Sequence, residues 1–176
     1  MARQTVGAAY TEVMSTIETL RRVLHECRTI AVVGLSPQWH RPSHFVGKYL
    51  LAHGYRMVPV NPMATEILGE PCYPDLKTAA AALKAQGHAI DMVDCFRKSE
   101  DMPLLAIEAI AIGARCLWMQ LGVINEEAAQ KARAAGLEVV MDRCVKIEHA
   151  RLFGGLNWAG VNTRVISAKR PQQLPY

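Results

Sequence analysis

The 176-residue sequence is short of aromatic residues, which make up only 6% of it. So little ring surface leaves no stacking platform for nucleic-acid bases. Blocks of Lys or Arg are also missing. The 20 basic and 16 acidic residues give a net charge of +4, too mild a balance for a nucleic-acid binder but suited to an anionic small ligand. No stretch approaches the ~18 consecutive apolar residues of a membrane-spanning helix. Met1-Ala2-Arg3-Gln4-Thr5 lacks the apolar run of a signal peptide, so the expected location is the cytoplasm, away from membranes. No Cys-x-x-Cys pair occurs. The five cysteines (Cys27, Cys72, Cys95, Cys116, Cys144) are odd in number and far apart. That argues against a structural zinc site and against a secreted disulfide framework. Repeats and low-complexity linkers are absent.

What is present is apolar material in a regular order. Hydrophobic residues make up 51% of the chain, enough for the core of one ordinary domain over 1–176. Val13, Ile17, Leu20 and Leu24 recur at helical spacing and predict a helix over 11–27, within an N-terminal segment 1–28. Thr29-Ile30-Ala31-Val32-Val33-Gly34 is a continuously apolar run ending in Gly, as expected of a strand buried on both faces. A helix over 43–53 follows, opened by Pro42 and closed by Gly54. Further strands are expected at 56–60, 90–96, 116–120 and 137–141, with a short edge strand near Cys72-Tyr73. Helices are expected at 76–86, at 99–112 and after the N-cap Asn125. Strands separated by helices imply right-handed crossovers. The expected fold is α/β, a Rossmann-like doubly wound parallel sheet of about five strands with helices on both faces. The core spans 29–152. In the extension 153–176, Leu156, Trp158, Val161, Val165 and Ile166 suggest partial packing on the body.

In such a sheet a ligand binds beyond the carboxyl ends of the strands, where strand order reverses. The loop to inspect is therefore Gly34-Leu35-Ser36-Pro37-Gln38-Trp39-His40-Arg41-Pro42-Ser43-His44. Gly34 permits a tight turn, Ser36 offers a hydroxyl, Arg41 can grip a phosphate, and the next helix turns free N–H groups toward an anion. It is not the Gly-x-Gly-x-x-Gly of dinucleotide enzymes. The second strand ends in Val60-Asn61-Pro62, without the acid that holds an NAD ribose. The basic groups Arg41, Lys48, His40 and His44 suit a ligand with more phosphate than a pyrophosphate. A tight turn in an ordinary α/β domain remains the alternative reading of the loop by itself.

A set of ordered segments goes further. They are Ile30–Pro37, Arg41-Pro42-Ser43, Tyr49-Leu50, His53-Gly54-Tyr55, Val58-Pro59-Val60-Asn61-Pro62, Leu68-Gly69-Glu70, Tyr73-Pro74-Asp75-Leu76, Asp91–Arg97, Ala109–Ala114, Trp118–Gly122 and Val140–Cys144. Together, over about 29–152, they resemble the stand-alone CoA-binding proteins of bacteria and archaea. That family is itself similar to the nucleotide domain of succinyl-CoA synthetase α subunits. The resemblance implies a Rossmann-type fold and coenzyme A as ligand, but no particular reaction. It implies that Gly34, Leu35, Ser36 and Pro37 wrap the phosphates and that Arg41 and Ser43 support them. By the same resemblance Val60, Asn61 and Pro62 meet the adenosine end, and Cys95, Phe96 and Arg97 line the adenine or pantetheine path. Trp118, Gln120 and Gly122 would lie at the mouth, unless Trp118 is core and Gln120 merely ties the loop. None of the six histidines lies in a recognisable phosphohistidine setting.

Two other constellations carry chemistry-bearing residue types. Asp142-Arg143-Cys144-Val145-Lys146-Ile147-Glu148-His149 holds a Cys and a His, but five residues apart they share no helix face. An Asp–Arg pair and a helix cap account for the segment. Cys95 could form a mixed disulfide with the CoA thiol, against the plainer reading of a small buried residue. Asp91 and Asp94, three apart on a strand, point to opposite sides. The expected function is thus a CoA or acyl-CoA binder without evident catalytic apparatus. The alternatives are a nucleotide-dependent enzyme, either an NAD-type oxidoreductase or a CoA-ligase-related subunit, and a regulatory protein that dimerises through a terminal segment.

Overall fold

The computed structural model describes residues 16–154. The expected helix residues 11–15 and the extension beyond Gly154 lie outside the described residues. Five strands form one parallel sheet: β1 (Thr29–Val33), β2 (Arg56–Val60), β5 (Met92–Cys95), β6 (Cys116–Met119) and β7 (Glu138–Val140), in the order β2-β1-β5-β6-β7. Between β2 and the next helix, β3 (Glu66–Ile67) and β4 (Glu70–Pro71) make a small antiparallel hairpin. The edge strand expected near Cys72-Tyr73 is reduced to one bridge between Val60 and Tyr73.

Helices cover both faces. Helices α1 (Ile17–Glu26), α2 (Pro42–Ala52) and α6 (Val145–Phe153) pack over Ile30, Val32, Met57, Met92, Cys116, Trp118 and Val140. On the opposite face α3 (Leu76–Ala85), α4 (Met102–Ala111) and α5 (Glu126–Ala134) cover Ala31, Val33, Val58, Val93, Leu117, Met119 and Val139. The two-residue alternation of side chains along each strand divides the apolar residues between these cores. The segment expected as one helix over 99–112 splits into a 3-10 turn, Ser99–Asp101, and α4, with Pro103 placed where its missing N–H costs nothing. Helix α6 runs through the boundary expected at 152–153.

Local capping follows the sequence. Thr16, Asp75 and Asn125 each accept a hydrogen bond from the amide three residues on, at 3.1, 2.7 and 2.9 Å. In α5 the acids Glu126 and Glu127 sit in the first turn and Lys131 and Arg133 in the last, matching the helix dipole. Among the described residues, no helix is long and apolar enough to cross a membrane.

Candidate functional site

Strand register assembles the site. Val33 is level with Val60 on one side and Cys95 on the other, and Cys95 is level with Met119. The next residues, Asn61, Gly34, Phe96 and Gln120, therefore form a row along the carboxyl edge of the sheet. Three backbone bonds continue the ladder into it: Gly34 N to Val60 O at 2.9 Å, Phe96 N to Val33 O at 2.8 Å and Gln120 N to Cys95 O at 3.4 Å. The chain turns from β1 to β2 on one side and later to β5 on the other, so strand order reverses between β1 and β5. Gly34 and Phe96 mark that switch point, where open α/β sheets bind ligands.

Gly34 has a φ of +85°, and a Cβ there would collide with the Phe96 carbonyl. Only glycine lets the two loops close so tightly. Leu35 is fully buried beneath the loop and is part of the α2-side core. The backbone of Ser36 is fixed from two sides. Its amide donates to Ser43 Oγ at 3.0 Å, and its carbonyl meets His44 Nδ1 at 3.0 Å. Ser36 Oγ in turn accepts from the Gln38 amide at 3.1 Å. Pro37, Trp39, His40 and Arg41 are exposed. Arg41 is the N-cap residue of α2 but makes no side-chain cap, its Nε donating instead to Gln38 Oε1 at 3.2 Å.

That leaves the start of α2 without a side-chain cap and without an acid in its first turn. Pro42 removes one donor there and the His44 amide donates to Arg41 O at 3.0 Å, so among the described residues the Ser43 amide, with the helix dipole, is what favours an anion. From the β2 side, Asn61 Nδ2 donates to Leu35 O at 2.8 Å and Asn61 Oδ1 accepts from the Met63 amide at 2.8 Å. Asn61 is thus a tie between two loops, and Pro62 beside it is exposed.

The other expected residues divide. Phe96 lies half-buried at the switch point and packs against the α2-side core. Arg97 is exposed and paired with Asp101 at 3.1 Å. A cleft of about 400 Å³ opens there, lined by Phe96, Arg97, Lys98, Glu100 and Asp101. The Cys95 side chain, in contrast, is fully buried in the α3–α5 core, so only its backbone belongs to the edge row. Val60 is likewise core. Gln120 is buried and donates from Nε2 to Asp94 Oδ1 at 2.7 Å. Trp118 is core, its Nε1 donating to Arg143 O at 2.7 Å. A larger cleft, about 490 Å³, lies on the outer flank of β2 among Tyr55, Arg56, Met57, Glu70 and Tyr73, toward the amino end of that strand.

The Asp142–His149 segment differs from the pair expected of it. Asp142 adopts a left-handed backbone (φ 56°), and its carboxylate accepts from the Gly122 amide at 2.7 Å, tying the β7 and β6 loops. Arg143 pairs instead with the buried Glu148 at 2.9 Å, which Arg151 also contacts. His149 Nδ1 meets Tyr49 OH at 2.9 Å inside a ring cluster with His53, Tyr55 and Phe153. Burial raises the Cys144 thiol above its ordinary range, as it does Cys95 and Cys116. These thiols are poorly disposed to act as nucleophiles. Among the described residues, no group of three His, Cys, Asp or Glu side chains could hold a metal ion.

Sequence reasoning missed one feature of this edge. Asp94, dismissed as one half of an unlikely carboxylate pair, is fully buried beside Gln120. The signal was an acid set within an apolar strand. Asp91 does point elsewhere, accepting from the Arg28 and Thr29 amides at the amino end of β1.

The match to known proteins follows the same boundaries. Residues 28–150 match the CoA binding domain family. The chain belongs to that family. It is 40% identical over 131 residues to the uncharacterized protein YneT of Bacillus subtilis (strain 168), covering 74% of this chain and 92% of YneT. A solved hypothetical protein from Pyrococcus horikoshii OT3 superposes with a TM-score of 0.71 at 37% identity, over 88% of this chain and 99% of that one. The cell-free ID.343 protein from Thermus thermophilus gives a TM-score of 0.69 at 33% identity, over 79% and 100%. The CoA-binding domain family and the Rossmann-like parallel sheet are thereby common ground between this chain and its relatives.

Proposed function

We propose that this chain binds coenzyme A or an acyl-CoA, with the phosphates on the loop Gly34–Pro37 and the start of α2. The observation that carries this reading is the uncapped, acid-free start of α2 facing the switch point. The starts of α1, α3 and α5 are closed by the side chains of Thr16, Asp75 and Asn125, whereas α4 and α6 also lack a side-chain cap but carry an acid there, Asp101 at the N-cap of α4 and Glu148 in the first turn of α6. Gly34, where a Cβ would meet the Phe96 carbonyl, allows the tight turn that carries the loop from β1 toward the start of α2. Ser43 and His44 hold the Ser36 peptide in place before any ligand arrives, which lowers the ordering cost of binding. Arg41, exposed beside the loop, supplies a mobile cation for the phosphates.

Asn61 and Pro62 would flank the adenosine end. An amide at the end of β2 tolerates a phosphorylated ribose, which a carboxylate would repel. Phe96 and Arg97 would border the path of the ligand across the switch point. The fully buried Cys95 side chain is withdrawn from that path, so the proposed role of its position is through the backbone. This is a binding function, in which the residues position an anion.

Isothermal titration calorimetry of the full chain with CoA, acetyl-CoA, NAD and ADP tests the reading. CoA and acetyl-CoA should bind, and NAD should bind far more weakly. Absence of CoA binding, with micromolar binding of NAD, would overturn it in favour of the oxidoreductase alternative.

A further inference from the structure

Asp94 sits on β5, level with Val32 and Trp118, on the face covered by α1, α2 and α6. It is two residues before Phe96, so its carboxyl lies about 7 Å along the strand from the edge row that meets Gly34. The side chain is fully buried. One oxygen accepts from Gln120 Nε2 at 2.7 Å, and Oδ2 has no hydrogen-bond partner among the described residues. The groups that act on it or it on them are the Gln120 amide of the β6 end and the Cys95, Cys116 and Cys144 thiols. Among the described residues no cation is paired with it. An ionised carboxylate so placed costs far more than a neutral acid with one unmade hydrogen bond.

The position has a consequence for any anion at the site. Polyphosphate charge on Gly34–Pro37 would add to the field at Asp94 through protein rather than through solvent, where screening is weak. A negative neighbour disfavours the charged acid further. We propose that Asp94 is a proton-linked positioning residue: binding of the phosphates at the loop draws a proton onto Asp94, which holds Gln120 at the sheet edge. The proton comes from solvent and is released when the ligand leaves. This deepens the CoA reading and rests on it. Burial already pushes the free-state carboxyl up to about 7, so the exchange falls in an accessible range.

The sign is fixed by linkage. A ligand that takes up a proton binds more weakly as pH rises, so CoA affinity should fall roughly 3- to 10-fold between pH 6 and 8.5 through this group. Any pH dependence from groups on the loop itself is shared by wild type and Asp94→Asn, so the difference between the two proteins reads Asp94. The test is calorimetry of CoA binding to the full chain at pH 7.5 in two buffers of different ionisation enthalpy. The wild type should take up measurably more protons than Asp94→Asn. Equal uptake would overturn the coupling while leaving CoA binding intact, whereas no CoA heat at any pH would overturn the binding reading itself. A carbon-13 titration of aspartate-labelled wild type needs no variant. The Asp94 carboxyl should titrate near neutrality and move upward with CoA, and a resonance still ionised at pH 5 would refute the proposal.

Discussion

The α-carbon of Gly34 lies so close to the carbonyl of Phe96 that a Cβ would overlap it, and the same residue holds a φ of +85°. Two independent constraints therefore meet at one position. Gly34→Ala places an L side chain in the left-handed region, at about 1–2 kcal/mol, and forces the β1 and β5 ends apart as well. We expect a loss of at least about 2 kcal/mol in urea denaturation. A loss under about 0.5 kcal/mol would mean that the two strand ends are not in contact.

Asn61 is the second support of the loop. Removing its amide leaves Leu35 O and the Met63 amide without their partners. Asn61→Ala should cost about 1–2 kcal/mol of stability. Ser43→Ala should cost a similar amount, because Ser43 is buried and its hydroxyl accepts from the Ser36 amide. Hydrogen exchange at Ser36 should speed up in the Ser43 variant. Unchanged protection would show that this amide finds another acceptor.

Much of this arrangement is readable in the sequence, for a physical reason. Apolar runs such as Ile30–Val33, ended by glycine, specify strands buried on both faces, and the loop after the first of them is fixed by topology. Caps such as Asn125 are local, so three neighbouring residues suffice to name them. The parts that escape are set by tertiary pairing. Nothing local says that Asp142 turns to the Gly122 amide rather than to Arg143, or that Arg143 reaches Glu148. The Asp94–Gln120 bond joins residues 26 apart and becomes visible only once β5 and β6 are in register. Cys95 was expected near the ligand path and does stand at the strand end, but alternation turns its side chain into the α3–α5 core.

Arg41 separates structure from binding. Its guanidinium is exposed and, among the described residues, bonded only to Gln38, so Arg41→Ala should leave stability within about 0.5 kcal/mol. If it grips a phosphate by a charge-assisted bond, CoA binding should weaken by about 1.5–3 kcal/mol, roughly 10- to 150-fold. The difference should shrink at high salt. Unchanged CoA affinity in calorimetry would remove Arg41 from the site.

One buried and one half-buried titratable group give the fold opposite responses to pH. The folded Asp94 carboxyl stands at about 7 against an ordinary 3.8, raised first by burial. Its neutral form is the one the fold accepts, so its contribution is intact below pH 4 and is lost as pH rises toward 7. The loss is on the order of 3–5 kcal/mol. Asp94→Asn should therefore flatten the fall in stability between pH 5 and 7.5, read from denaturant midpoints of both proteins. His149 works the other way. Burial, then His53 and Arg28, hold its imidazole below the ordinary 6.5. Its contribution is present above 6.5 and is lost as pH falls through the lowered value, when a proton must enter the Tyr49–His53–Tyr55 cluster. His149→Gln should reduce the acid-side loss and leave the neutral-side slope of wild type unchanged. If both variants kept the wild-type profile, the pH response would have to come from surface groups rather than from these two sites.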